Sequence, residues 1–150
     1  MNKILTFLGM LLWSSLLSAQ SISPVIDVSN DSKILEELSA EYKSSLFVAS
    51  DADFVKTMEN WKHTLTAIEN YAEEIDFNLK GVKLWLKVFW AKDGQIDHIT
   101  YYLSETSINI DRIDLEAFLR SFMRKYKLPQ SYKQRFSYDA RVTFPLYLMR

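Results

Sequence analysis

The chain has 150 residues, of which 48% are hydrophobic and 25% are charged, a balance that is typical of one folded globular domain. The formal net charge of −1 gives no excess of positive charge for binding nucleic acid. Cysteine is absent, which excludes disulfides, an N-terminal lipid-modified cysteine and a cysteine nucleophile.

The first residues have the pattern of an export signal. Lys3 is followed by the apolar stretch ILTFLGMLLWSSLLSA, which ends in small residues, so cleavage is expected after Ala19. The stretch of about 16 residues is shorter than the roughly 20 that span a bilayer. We therefore expect residues 1–19 to be removed and the mature protein to be periplasmic or secreted, without a membrane span. An uncleaved inner-membrane anchor is the alternative.

Residues 20–50 are predicted to form a polar tail followed by a helix. The helix covers residues 33–46, with Ser32 as its N-cap. A second and longer helix follows, in which Ser50 and Asp53 resemble a capping box. Its apolar residues recur at helical spacing: Phe54, Met58, Trp61, Leu65, Ile68 and Tyr71. Two amphipathic helices are therefore predicted to follow the signal and the polar tail.

The apolar period then changes from helical to alternating. From Val82 onward, Leu84, Leu86, Val88 and Trp90 form one apolar face of a strand. Asp93 and Gly94 are the residue pair that a tight hairpin turn prefers, and the strand QIDHITYYLSE follows them. The segment predicts a β-hairpin, which needs further elements to pack against.

A third helix and a last strand complete the chain. The helix has Ile113, Phe118, Phe122 and Tyr126 in one stripe, begins at Asp111 or Asp114 and ends before Pro129. Alternating apolar residues from Phe136 to Leu148 predict the strand. The order favours an α+β fold over residues 51–150, with a three-stranded antiparallel sheet, helices on one face, and an N-terminal helix before it.

Four stretches of residues 54–148 resemble, in order, the C-terminal domain of the TonB family. They are Tyr71-Ala72-Glu73-Glu74, LWLKVFWAKDGQIDHITYYL, IDLEAFLRSFMRKYKLP and YDARVTFPLYL. Ala72 stands where the family commonly has proline, and the proline-rich linker of the energy transducers is absent. The resemblance therefore implies this fold and a binding mode, in which partner peptides pair with the edge of the sheet, rather than energy transduction.

No catalytic pattern stands out in the sequence. The HExxH, P-loop, GxGxxG, GxSxG and SxxK motifs are all absent. His63 and His98 are predicted to lie on the surface, and the pairs Asp51/Asp53 and Glu73/Glu74 are predicted to be solvated charges at helix ends. We expect no enzymatic activity, no cofactor and no metal. The alternative is an enzyme site formed by Glu73, Glu74 and a histidine.

Two sets of residues are candidates for protein binding. The outward face of the last strand carries the first set: Ser137, Asp139, Arg141, Thr143 and Tyr147. Pro145 indicates that this strand lies at an edge, because proline cannot donate a hydrogen bond to a neighbouring strand. The alternative is that the charges and the proline only protect this edge from pairing. Trp85 and Phe89 are the second set and share a strand face with Lys83 and Lys87. That face is either an exposed binding surface or covered by the first helix.

These observations predict a non-catalytic, exported protein-binding module. Its expected partner is a periplasmic segment of an outer-membrane transport protein, bound by strand addition. The basic run from Arg120 to Arg135 is interpreted as a solvated helix face, with an anionic partner or lipid headgroup as the alternative, and not as a nucleic-acid site. Long sheet edges also leave a homodimer open. The alternatives are a membrane-tethered accessory transducer with an uncleaved anchor, or a small periplasmic protein with an unrelated binding or enzymatic role.

Overall fold

A computed structural model describes residues 22–29 and 32–146. The elements in chain order are β1 (Val25–Asp27), α1 (Ser32–Glu41), β2 (Ser44–Ser45), α2 (Leu46–Ala49), α3 (Phe54–Glu74), β3 (Lys83–Trp90), β4 (Ile96–Leu103), α4 (Arg112–Lys125) and β5 (Phe136–Thr143). The mixed α+β fold is confirmed. The predicted signal segment, Tyr147 and Leu148 lie outside the described residues.

The centre of the sheet is the predicted hairpin together with the last strand. β3 pairs antiparallel with β4 on one side and with β5 on the other. Gly94 in the turn has a φ of +86°, and a Cβ there would lie 2.8 Å from the carbonyl oxygen of Leu128. The turn therefore requires glycine for both its backbone conformation and its space. The three antiparallel strands predicted from the sequence are all present.

The sheet has five strands rather than the predicted three, in the order β1-β4-β3-β5-β2. The additional strands β1 and β2 are short and parallel to their neighbours: β1 pairs with β4, and β2 pairs with β5. β1 lies within the segment predicted as a tail. Strands of two or three residues escape sequence analysis because alternation becomes recognisable only over about four residues or more.

The inner face of the sheet carries the main core, with α3 and α4 packed on it. The buried side chains of α3 include Trp61, Leu65 and Ile68, and those of α4 include Phe118 and Phe122. They pack with the apolar face of β3, which is buried as predicted. Among the described helices, none is long and apolar enough to cross a membrane.

Three residues that were assigned to the apolar stripes of these helices are exposed: Phe54, Ile113 and, one turn further along α3, Met58. Phe54 in the first turn of α3 is 69% exposed, and Ile113 in the first turn of α4 is 77% exposed. The buried part of each helix begins later, at Thr57 in α3 and at Leu115 in α4. Periodicity identifies the side of a helix that faces the core but not the turn at which the core begins.

Helices cover both faces of the sheet, not one as predicted. α1 packs on the outer face, where Leu38 and Tyr42 form a second small core with Phe89 of β3. Lys87 Nζ donates a hydrogen bond to Ser39 Oγ at 3.1 Å and fixes α1 to the same strand. Ser32 is the first residue of α1 rather than a cap before it. α1 therefore crosses the outer face between β1 and β2.

Candidate functional site

The titratable residues weighed as catalytic candidates do not converge. His63 Nδ1 on α3 lies 2.9 Å from the hydroxyl of Tyr126, while Glu74 at the end of the same helix pairs with Lys125 at 3.1 Å. His98 is on β4, edge-on to the ring of Tyr42 under α1. Within residues 22–29 and 32–146, no three histidine or carboxylate side chains are grouped to hold a metal ion.

Along one edge of the sheet, backbone groups have no partner among the residues that the structure describes. The N–H of Phe144 donates to the carbonyl of Val82 at 2.9 Å, and the β3–β5 register continues from this pair without a bulge. Successive residues of an antiparallel strand alternate between facing one neighbour and facing the other. Tyr138, Ala140 and Val142 therefore bond to β3, whereas the N–H and C=O groups of Asp139, Arg141 and Thr143 point away from it.

β2 covers only the beginning of this side of β5. Its two residues pair with Phe136 and Ser137, and no described strand pairs with β5 beyond that point. We call residues 138–143 the open edge. Three of the predicted binding residues lie on it: Asp139, Arg141 and Thr143. Ser137 is paired with β2, and Tyr147 lies outside the described residues.

On the outer face, a groove adjoins the open edge. It has a volume of about 660 Å³ and is lined by Lys83, Trp85, Tyr102 and Arg141, among others. The indole Nε1 of Trp85 donates to Asp139 Oδ2 at 3.1 Å, which connects β3 to the open edge. The groove is within the size range of ligand pockets, but it is open rather than enclosed, which suits an extended peptide better than a small molecule.

The two aromatic candidates of the outer face have different environments. Phe89 is fully buried under α1 and is therefore not available to a partner, contrary to its assignment as a binding residue. Trp85, four residues earlier on the same face, is half-buried and lines the groove. α1 thus covers one end of this face and leaves the other end open. The sequence predicted that this face is either an exposed binding surface or covered by the first helix. Phe89 is covered by the helix, and Trp85 is accessible.

The charges of the open edge alternate with apolar side chains. Asp139 and Arg141 are both exposed and project from the outer face. No carboxylate among the described residues lies within salt-bridge distance of Arg141. Tyr138, Ala140 and Val142 project toward the core side. A strand that pairs with this edge would therefore meet charges on one face and apolar groups on the other.

A second groove lies on α3, the helix that contacts the core side of β5. The Trp61 ring of α3 is 5.1 Å from the Tyr138 ring, and Glu69 accepts a hydrogen bond from the N–H of Leu146. One flank of α3 therefore follows β5. The apolar groove there has a volume of about 470 Å³, and its lining includes Phe54, Val55, Met58 and Trp61.

Sequence analysis missed this apolar flank because it assigned Phe54 and Met58 to the core. The available signal was the neighbouring pair Phe54 and Val55. Adjacent residues of a helix point in directions about 100° apart, so a narrow core-facing stripe cannot bury both of them. In the structure, Phe54, Val55 and Met58 are all exposed.

Comparisons of this chain with protein-family models, with curated proteins and with solved structures found no match. The open edge, the groove on the outer face and the apolar groove on α3 are the surface features from which a function is proposed below.

Proposed function

We propose that the protein is an exported, non-catalytic binding module that takes an extended segment of an envelope protein as an additional strand on β5. The observation that carries the proposal is the open edge, where the backbone groups of Asp139, Arg141 and Thr143 face away from β3. Strand addition uses such groups for affinity and flanking pockets for specificity. The resemblance to the TonB C-terminal domain implies pairing at the edge of the sheet, and suggests periplasmic segments of outer-membrane transport proteins as partners.

The two grooves favour a partner whose side chains alternate in character. Every second side chain of an added strand would point toward the apolar flank of α3, near Met58 and Trp61. The others would lie beside Asp139 and Arg141 on the outer face. An acidic residue opposite Arg141 would provide this exposed cation with a partner. The preferred segment therefore alternates apolar and polar residues, with at least one carboxylate.

Hydrogen exchange of single amides tests this mode of binding. Peptides copied from periplasmic segments of outer-membrane transport proteins are added to the isotope-labelled protein. We expect the amides of Asp139, Arg141 and Thr143 to exchange quickly in the dilute, monomeric free protein and slowly with bound peptide. The amides of Ala140 and Val142 bond to β3 and serve as internal controls that are protected in both states. Protection that arises elsewhere, or none at the open edge, contradicts strand addition.

A pair of substitutions at one position separates backbone from side-chain recognition. Arg141→Gln removes the charge but keeps the outward N–H, whereas Arg141→Pro removes both, and proline is tolerated at strand edges. We expect peptide affinity to fall about threefold with glutamine and more than about tenfold with proline. Equal affinities of the two variants would exclude backbone pairing at this residue. Unchanged circular dichroism of both variants is the folding control.

A further inference from the structure

We propose that the open edge of β5 is self-complementary, so that two copies of the chain pair through it in antiparallel orientation around a two-fold axis at Ala140. In this register, Asp139 of each copy lies opposite Arg141 of the other. Both side chains project from the same outer face and are exposed. Opposite charges directly across an antiparallel pair are favourable. The two-fold axis therefore produces two identical ion pairs between the paired strands, each between Asp139 of one copy and Arg141 of the other.

Hydrogen-bond geometry selects the same register. In an antiparallel pair, residues directly opposite each other must both face the partner or both face away from it. Asp139 and Arg141 both present their backbone groups to the open edge, so they satisfy this condition. Moving the axis to Asp139 or to Arg141 also satisfies it, but then places aspartate opposite aspartate or arginine opposite arginine. Only the axis at Ala140 combines paired backbone groups with paired charges.

The neighbouring residues set the extent of the interface. β2 already pairs with Ser137, so the new ladder runs over residues 138–142 of each copy. On the core side, Ala140 meets its own copy at the axis, where a small side chain permits close approach of the strands. Tyr138 lies opposite Val142. An interface of this size belongs to the small, weak class, so we expect an equilibrium between monomer and dimer rather than a permanent dimer.

This pairing stands independently of peptide binding, but it occupies the same backbone groups. A second copy and a peptide strand therefore exclude each other on β5. Dimerisation would lower the concentration of free edges when the protein is abundant, and it would protect an exposed strand edge from less specific pairing.

Charge exchange provides the main test. The chain is expressed with residues 1–19 present, so that any processing takes place in the cell, and its association is followed by sedimentation equilibrium. Asp139→Arg and Arg141→Asp each place like charges across the axis, and we expect dimerisation at least about tenfold weaker for either variant alone. An equimolar mixture of the two restores opposite charges at both positions and should dimerise like the wild type. A mixture that stays monomeric overturns the proposal, as does wild-type protein that remains monomeric up to about 1 mM.

A cysteine at the axis tests the register itself. The chain has no cysteine, so a single introduced thiol can form a disulfide only with another copy. Ala140→Cys would place two Cα atoms about 4.5 Å apart in a non-hydrogen-bonded pair, which is within disulfide range. The matched control is Thr143→Cys. Residue 143 is more exposed than residue 140, but in this register it lies six residues along the paired strands from residue 143 of the other copy. Rapid oxidation of the Ala140→Cys protein alone supports the register, and equal rates, or none for Ala140→Cys, overturn it. The Thr143 amide belongs to the open edge but lies outside the dimer ladder, so its protection reports peptide binding alone and the failure of one proposal leaves the other testable.

Discussion

The hydroxyl of Tyr42 donates a hydrogen bond to Oδ2 of Asp97 at 2.6 Å, which joins the residue after α1 to β4. The same ring stands edge-on to Phe89 of β3, with 5.1 Å between the ring centroids. One side chain therefore fixes α1 to both strands of the hairpin. This contact determines which part of the outer face is closed and which part, around Trp85, remains open.

Truncation of Phe89 should destabilise the protein far more than truncation of Trp85. Phe89→Ala leaves a cavity under α1, and we expect it to lower the free energy of unfolding by about 3–5 kcal/mol. Trp85→Ala, on the same face of β3 but half-exposed, should cost about 1–2 kcal/mol. Urea unfolding of both variants measures the difference. Similar losses would be inconsistent with a buried Phe89 and an accessible Trp85.

Asp111, not Asp114, should be the residue whose side chain stabilises the start of α4. Asp111 Oδ1 accepts hydrogen bonds from the N–H groups of Ile113 at 2.8 Å and of Asp114 at 3.4 Å. We expect Asp111→Ala to lower the free energy of unfolding by about 1 kcal/mol. Asp114→Ala removes only a favourable charge from the first turn, which is worth about 0.3 kcal/mol. Thermal unfolding distinguishes the two, and the reverse order would contradict this cap.

Alanine should be tolerated less well at Gly94 than at Gly81. Both glycines have a positive φ, so both substitutions carry backbone strain. At Gly94 the new Cβ would also meet backbone, the Leu128 carbonyl oxygen at 2.8 Å, which cannot easily move. At Gly81 it would meet the flexible and exposed side chain of Ile108. We expect Gly94→Ala to cost at least about 1 kcal/mol more than Gly81→Ala in denaturant unfolding.

Stability should fall at alkaline pH partly through Tyr126. Burial raises the pKa of the Tyr126 hydroxyl from 10.0 to about 12, although a hydrogen bond with Thr64 acts in the opposite direction. The folded state therefore holds this proton more tightly than the unfolded chain. Its contribution is complete below pH 10 and decreases as the pH rises from 10 to 12.

Tyr126→Phe isolates this contribution, because lysines and other tyrosines titrate in the same range. The variant should lose less unfolding free energy than the wild type between pH 9 and pH 11, by about 1 kcal/mol. Urea unfolding at both pH values gives the comparison. If the two proteins show the same pH dependence, Tyr126 is not held in its neutral form by the fold.

The long elements of this fold follow from local sequence patterns. The hairpin around Gly94, the helices α3 and α4, and the alternation of β5 are each set by residues close together in the chain. The same alternation also assigns Asp139 and Arg141 to one outward face. Local patterns indicate the periodicity of apolar residues in an element, so they predict these features without reference to the rest of the molecule.

Local patterns could not predict which residues of the candidate site are covered by other elements. Whether Phe89 is buried depends on where α1 packs, and whether Ser137 is free depends on the two residues of β2. Both are tertiary contacts between segments far apart in the sequence. An apolar stripe shows that a helix needs a surface to cover but does not identify that surface.

β1 and β2 occupy opposite ends of the strand order, and α1 connects them across the outer face. This arrangement has a consequence for the order of folding. Ser45 pairs with Ser137, and Val25 pairs with Ile99. In both pairs the partner lies far along the chain and is synthesised much later. Contacts of such long sequence separation slow folding, because closing the long intervening loop costs conformational entropy before the contact can stabilise it. The two strands nearest the start of the described residues are therefore among the last to pair, and the sheet is completed only after β5 is available.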